Sequence, residues 1–141
     1  MTRIDFHTNI TDKVSYACRL ARKAYGANAR LVLLAEDDAQ AAVLNEALWT
    51  LSETDFLPHV LAGDALAAQT PIIVTASDTD PTPHYDMLIN LTRRTPASFA
   101  QFARVFEIIS TDEDDAAEGR KRYVAYKKLA HPLTHFVAGK P

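Results

Sequence analysis

The sequence predicts an α/β fold in which a mainly parallel sheet is covered by helices on both faces. Residues 31–35, 71–75 and 86–91 are nearly continuous apolar runs, which are typical of strands buried on both sides. Stretches with a period of 3.6 residues separate such runs, and this alternation of strands and helices favours a parallel sheet. The composition, with 48% hydrophobic and 23% charged residues, is that of a globular protein.

The first half of the chain supplies two strand–helix pairs. Residues 3–7 alternate between apolar and polar and predict the first strand. Thr11 or Asp12 caps a first helix that Gly26 ends. After the strand at 31–35, Asp37 or Asp38 caps a second helix with apolar residues on its inner side.

The second half begins with the apolar strands at 71–75 and 86–91, separated by a polar loop at 77–84 that contains two prolines. Ser98 is then expected to cap a short helix. Residues 105–109 predict a last strand, and a charged helix follows it. The tail 131–141, with two prolines and a glycine, shows no clear element and is expected to be partly unordered.

Length, charge and cysteine content limit the classes of protein. We expect residues 1–141 to form one domain, because a chain of this length can bury a core. The net charge of −3 argues against a nucleic acid or an anionic membrane bound over a broad surface. The single cysteine, Cys18, allows no internal disulfide. Neither a secretory leader nor a long apolar run is visible, so a cytoplasmic location is expected.

The sign of the charge reverses within the last predicted helix. Residues 112–118 hold five carboxylates, whereas residues 120–128 hold five cations and two tyrosines. The helix dipole favours acids at the start of a helix and bases at its end. We therefore interpret the acidic residues as solvated N-terminal charges. Arg120, Tyr123, Val124 and Lys127 also have i, i+3, i+4 and i+7 spacing, which places them on one face. Such a face suits an acidic peptide with an apolar end better than it suits catalysis.

The motifs of common enzyme and metal sites are not found. The four glycines are too far apart to form a phosphate-binding loop, and Cys18 falls on the inner face of a helix. His131 and His135 have the i, i+4 spacing of metal ligands, but Pro132 lies between them and no third ligand is near. We therefore expect no catalytic residue, no metal and no cofactor. A small-molecule or nucleotide-processing enzyme using the sheet crevice stays open as the alternative.

Two aromatic residues, Trp49 and Phe56, flank a predicted loop after the second helix. Either they cover the edge of the sheet, or they anchor a partner protein. Composition alone favours the first interpretation.

The ordered set of segments resembles the chi subunit of bacterial DNA polymerase III holoenzyme over nearly the whole chain. The segments that carry the resemblance are 44–49 (LNEALW), 56–59 (FLPH), 62–63 (AG), 88–91 (LINL), 98–103 (SFAQFA) and 120–126 (RKRYVAY).

The resemblance implies a Rossmann-like three-layer domain without nucleotide binding. It also implies a non-catalytic accessory subunit, within a holoenzyme whose DNA-directed DNA polymerase activity belongs to other subunits. Chi subunits pair with the psi subunit, which links them to the clamp loader, and bind the acidic C-terminal tail of single-stranded DNA-binding protein. By resemblance, Arg120 and Tyr123 receive that tail with Val124 and Lys127 on the same face, and Trp49 and Phe56 contact psi.

The chain departs from the family pattern at two places. Relatives carry a lysine one turn before the arginine, where this chain has Ala116 and Ala117, and a basic residue where it has Val124. Lys127 is one of the residues that could compensate. Direct binding of single-stranded DNA would need aromatic platforms beside a basic groove. The neighbouring acidic run opposes that, so contact with DNA is expected mainly through the partner.

Overall fold

A computed structural model describes residues 2–50, 57–79 and 82–139 of the chain. In these residues all strands belong to one parallel sheet with the order β3-β4-β2-β5-β6-β1-β7. The strands are Arg3–Ile10 (β1), Leu31–Leu34 (β2), His59–Leu61 (β3), Ile72–Thr75 (β4), Met87–Asn90 (β5), Arg104–Ser110 (β6) and Leu133–Val137 (β7). The α-helices are Lys13–Gly26 (α1), Asp38–Thr50 (α2) and Glu113–Lys128 (α3). The predicted α/β fold with a parallel sheet is confirmed.

The helices begin where the sequence places caps. Asp12 accepts a hydrogen bond from the backbone N–H of Ser15 and caps α1. Asp37 accepts one of 2.8 Å from the backbone N–H of Gln40, at the start of α2. Asp112 accepts one from the backbone N–H of Asp115 and caps α3. Each carboxylate satisfies an amide that the first turn of a helix leaves without a partner.

The helices cover opposite faces of the sheet and create two apolar layers. One layer packs α1 and α2 on the sheet through residues such as Cys18, Leu44 and Ile108. The other lies beneath α3 and includes Phe6 and Ile109. Adjacent residues of one strand, Ile108 and Ile109, therefore point to different layers, as the pleat of a strand requires.

Two strands were missed by the sequence analysis. β3 has three residues and pairs with β4, and β7 pairs with β1 at the opposite edge. The expectation that the tail from 131 lacks an element is thus wrong for Leu133–Val137. The short helix predicted after Ser98 is a single 3-10 turn, Phe99–Gln101. In the described part of the chain, none of the helices has the length and apolar character needed to cross a membrane.

Candidate functional site

The predicted face of α3 borders an open groove of about 620 Å³. Arg120 and Val124 are exposed there and Tyr123 is half-buried. The groove lies between α3 and the ends of β1, β6 and β7; its other lining residues are Phe6, Thr8, Asn9, Ile109, Ser110, Thr111, Ala116, Gly119 and His135. Lys127 is exposed one helical turn beyond Val124 and does not line the groove. The structure thus brings Arg120, Tyr123 and Val124 together, and leaves Lys127 outside.

Small residues on α3 let the helix approach the sheet. Gly119 is buried, and a Cβ added to it would lie 2.3 Å from Cδ1 of Ile109 on β6. Only a residue without a side chain permits this approach. Ala116, one turn earlier, lines the groove with a single methyl group. This is one of the places where relatives are expected to carry a lysine, so the groove here is more apolar than that pattern predicts.

Tyr123 forms one wall of the groove and is held by other rings. Its ring packs edge-on against Phe6, with centroids 5.1 Å apart, and lies 6.2 Å from the ring of His135. His135 in turn lies 2.8 Å from the hydroxyl of Thr8 through Nε2. These contacts link α3, β1 and β7, so the wall of the groove is built by three elements.

Arg120 lines the groove together with these rings and is the one lysine or arginine among the described residues that line it. It makes no hydrogen bond or ion pair with any residue in the described ranges, whereas its neighbour Lys121 pairs with Glu118 at 3.0 Å. An exposed guanidinium beside an apolar groove can bind a carboxylate with two parallel hydrogen bonds. Apolar walls with one such cation at the rim suit a peptide end that has a carboxylate and an apolar side chain.

Arg122 follows Arg120 by two residues, yet it lies in the core. Its Nε donates a 3.2 Å hydrogen bond to Oε1 of Glu107, a fully buried residue of β6. The hydroxyl of Tyr126 donates to Oε2 of Glu107 at 2.6 Å, and the side-chain amide of Asn90 donates to Oε1 at 2.8 Å. Burial raises the pKa of Glu107 against the opposing effect of Arg122.

This buried network was not among the features predicted from the sequence. Its signal was present, since Glu107 interrupts an otherwise apolar strand, and Arg122 and Tyr126 have i, i+4 spacing. The network fixes the rotation of α3 on the sheet. That rotation turns Arg120 and Tyr123 toward the groove.

The interpretation of the acidic residues 112–115 as solvated charges is wrong for Asp115. Its side chain is only 2% exposed and forms an ion pair of 2.9 Å with Lys13 on α1. It also accepts a 2.7 Å hydrogen bond from the backbone N–H of Ser110. Burial acts to raise the pKa of Asp115, but these partners outweigh burial and hold the pKa below its ordinary value. Glu113 and Asp114 are exposed, as expected.

The crevice at the carboxyl ends of the central strands is lined by paired charges. Nζ of Lys13 donates to the carbonyl oxygen of Leu91 at 2.9 Å as well as binding Asp115. Arg93 pairs with Asp112 at 3.2 Å, and the backbone N–H of Arg93 donates to Glu36 at 2.8 Å. Side chains that satisfy one another in this way tie the loops to the helices and offer a ligand few unpaired groups.

Trp49 is 53% exposed at the end of α2, and its ring centroid lies 4.7 Å from that of His59 on β3. Nε2 of His59 lies 3.2 Å from the carbonyl oxygen of Asn45 in the same helix. The indole therefore covers the contact between α2 and β3, while about half of its surface is exposed to solvent. Phe56 lies outside the described residues.

The histidine pair considered as a metal site is divided between two elements. His131 follows α3 and lies 3.2 Å from the carbonyl oxygen of Thr2 through Nδ1, while His135 is part of β7. The helical i, i+4 geometry therefore does not apply to them. Within residues 2–50, 57–79 and 82–139 no group of three metal-ligating side chains occurs. Cys18 is buried as predicted, and burial raises the pKa of its thiol to about 11.

Comparison with known proteins identifies the family. Residues 1–134 match the family model described as DNA polymerase III chi subunit, HolC. The chain is 31% identical to the DNA polymerase III subunit chi of Pseudomonas aeruginosa over 137 residues, which cover 94% of each chain. It is 31% identical to the subunit of that name from Escherichia coli over 111 residues, covering 78% of this chain and 75% of the relative. The chain belongs to the DNA polymerase III chi subunit family.

Proposed function

We propose that this chain is a non-catalytic adaptor of DNA polymerase III that binds the acidic C-terminal tail of single-stranded DNA-binding protein and, through a second surface, the psi subunit. Membership of the chi family supports a role in DNA replication. The observation that carries the tail-binding part is the groove on α3, with Tyr123 and Val124 as apolar walls and, at the rim, Arg120, which is unpaired among the residues that the structure describes.

The tail is held at its end. Arg120 donates hydrogen bonds to the terminal carboxylate, and the last apolar side chain enters the groove between Tyr123 and the side chain of Ile109. Lys127, farther along the same helix, attracts the acidic residues that precede the end. One small pocket and a few exposed charges give an affinity of about 1 to 100 μM that falls with added salt.

Replacement of the family's basic residues by Ala116 and Val124 changes the balance of the contact. Ala116 and Val124 both line the groove, so apolar side chains lie where the resemblance implies basic ones. Relative to a chi subunit with basic residues at these two positions, binding by this chain depends more on the last apolar side chain and falls less steeply with salt.

Trp49 anchors psi at the opposite edge of the sheet, and Phe56, which the resemblance assigns to the same partner, contributes to the binding of psi. An indole that is half exposed and fixed against a neighbouring ring is the kind of residue that dominates protein interfaces. The two surfaces lie at opposite edges of the sheet, since β3 and β7 are its outer strands. A chain with this layout can hold both partners at once.

The proposal is tested by titrating a peptide of the tail sequence against the wild type, Arg120→Ala and Lys121→Ala. Loss of a charge-assisted hydrogen bond costs about 1.5 to 3 kcal/mol, so Arg120→Ala weakens binding by about 10- to 100-fold. Lys121→Ala removes the same charge from the next residue, which does not line the groove, and leaves affinity within about threefold of the wild type. Equal affinities for the wild type and Arg120→Ala contradict the proposal.

A further inference from the structure

The outer edge of β7 is an unpaired strand edge directly beside the groove. β7 pairs only with β1, and in the described ranges no strand pairs with its other side. The ladder to β1 is bounded by a hydrogen bond from the N–H of Ile4 to Pro132 and by one from the N–H of Ala138 to Thr8. Backbone groups of a strand alternate in direction, so those of Leu133, His135 and Val137 point away from β1.

This edge lacks the usual protection against pairing. Its five residues include neither a lysine nor any other fully charged side chain. Thr134, Phe136 and Val137 have side chains that favour extended structure. Natural sheets normally protect such an edge with lysine, proline or a bulge, or cover it. An edge of this kind is suited to accept an added strand.

Cations flank the edge on both faces of the sheet. On the α1 face, Arg19 and Lys23 line a shallow cavity of about 470 Å³ beside the exposed ring of Phe136. On the α3 face, Arg120 lines the groove together with His135 of β7. Lys127 follows Arg120 by seven residues, about 10 Å along the helix, which is about three residues of an extended chain. A second copy of this chain would bring these cations toward each other, whereas an acidic segment would complement them.

The groove and the edge are continuous, because His135 lines the groove from within β7. An apolar peptide end in the groove therefore lies next to the end of the β7 edge. From Arg120 to Lys127, α3 runs antiparallel to β7, that is, toward the end of the sheet where β7 begins. The residues that precede a docked end can follow this path.

We propose that the acidic segment preceding the docked tail extends the sheet, pairing with the outward backbone groups of Leu133, His135 and Val137 as an eighth strand. Its alternate side chains lie against Phe136 with Arg19 and Lys23 on one face, and along Arg120 and Lys127 on the other. This inference rests on the proposed function, since it requires the tail end to occupy the α3 groove. It adds a site at which the length and acidity of the partner segment determine affinity.

The test compares two synthetic peptides with the same apolar terminal residue and free carboxylate. One has about four residues and reaches only the groove, while the other has about ten residues, rich in aspartate, and can span β7. The long peptide binds the wild type at least about fivefold more tightly than the short one, as expected from one or more added backbone hydrogen bonds. Equal affinities of the two peptides overturn the inference.

Substitutions at Val137 separate pairing from other effects. Val137→Pro removes an N–H that points away from β1, a position where edge strands tolerate proline, and it abolishes the advantage of the long peptide. Val137→Ala keeps the N–H and keeps the advantage. The affinity for the short peptide is unchanged in both variants, and circular dichroism checks the fold. A long-peptide advantage that survives in Val137→Pro overturns the inference.

A second measurement leaves the protein unaltered. Methylating alternate backbone nitrogens of the long peptide removes its hydrogen-bond donors, and it reduces binding to the level of the short peptide. Unreduced binding overturns strand pairing. Strand pairing with the peptide is also overturned if sedimentation analysis shows that the wild type is a dimer and that Val137→Pro dissociates it. The edge of β7 would then pair with a second copy of the chain. A different result would contradict the proposed function: the short peptide would bind Arg120→Ala as tightly as it binds the wild type.

Discussion

At the scale of single residues, the charges of α3 have different roles although they are close in the sequence. Arg120 is exposed at the groove, while Arg122 is buried against Glu107. Asp114 is exposed, while Asp115 is buried against Lys13. A helix turns about 100° per residue, so neighbouring charges face different surroundings. The buried charges orient the helix, and Arg120, which has no hydrogen-bond or ion-pair partner among the described residues, is available to a partner protein.

Asp115 makes stability depend on pH in the acid range. Its pKa is lower in the folded chain than its ordinary value of 3.8. The folded state therefore binds this proton less readily than the unfolded state. The resulting stability is complete above pH 3.8 and is lost as pH falls through the folded pKa.

We therefore expect Asp115→Asn to lose less stability than the wild type between about pH 6 and pH 3, although it is less stable at pH 6. Urea unfolding at both pH values measures the difference. Asp114→Asn is the matched control, since Asp114 is exposed in the same helical turn, and it follows the wild type. If the wild type and Asp115→Asn lose the same free energy of unfolding between the two pH values, the Lys13–Asp115 pair does not have this role.

At the scale of elements, the contact between α3 and β6 depends on the absence of a side chain at Gly119. Alanine there places a methyl group against Ile109, which costs about 1 to 3 kcal/mol and exceeds the gain of about 1 kcal/mol in helix propensity. We expect Gly119→Ala to lower the free energy of unfolding. Ile109→Val removes the Cδ1 atom that the methyl would meet and costs about 0.5 to 1.5 kcal/mol by itself.

The double variant therefore loses less stability than the sum of the two single variants, as measured by chemical denaturation. Strictly additive losses show that the two residues do not meet and contradict the packing described.

The C-terminal end of α2 offers the test of the proposed psi surface. Trp49→Ala removes an exposed anchor, and we expect it to weaken binding of the psi subunit by at least about 2 kcal/mol, or roughly 30-fold. Val43→Ala removes an apolar side chain of similar exposure two turns earlier in α2 and changes binding little. Surface plasmon resonance with immobilised psi compares the two variants. Psi binding that is unaffected by Trp49→Ala rules out this end of α2 as the anchor.

At the scale of the whole molecule, the sequence predicted the central sheet well and its edges poorly. β2, β4 and β5 are apolar runs because helices or loops bury both of their faces. Such runs can be recognised directly in the sequence. β3 has three residues, too few to show a period. β7 follows Pro132 and has exposed side chains, because an edge strand has fewer neighbours to bury it.

The candidate site was predictable in part for a similar reason. Helical spacing predicted one face for Arg120, Tyr123, Val124 and Lys127. The first three line one groove, and Lys127 lies outside it. The opposite side of the groove comes from β1 and β7, which lie more than 100 positions from each other in the chain, as in the pair formed by Thr8 and His135. Contacts between distant segments are set by the order of strands, which local patterns do not contain. The buried roles of Asp115 and Arg122 were missed because charge predicts exposure.

We propose that the groove on α3 receives the tail end of single-stranded DNA-binding protein. The most direct measurement is calorimetric titration of the full-length partner, and of the partner without its last residues, into the wild type and Arg120→Ala. We predict that the intact partner binds the wild type, and that truncation or Arg120→Ala each weakens binding by at least about tenfold. Undiminished binding of the truncated partner, or of the intact partner to Arg120→Ala, would contradict the account.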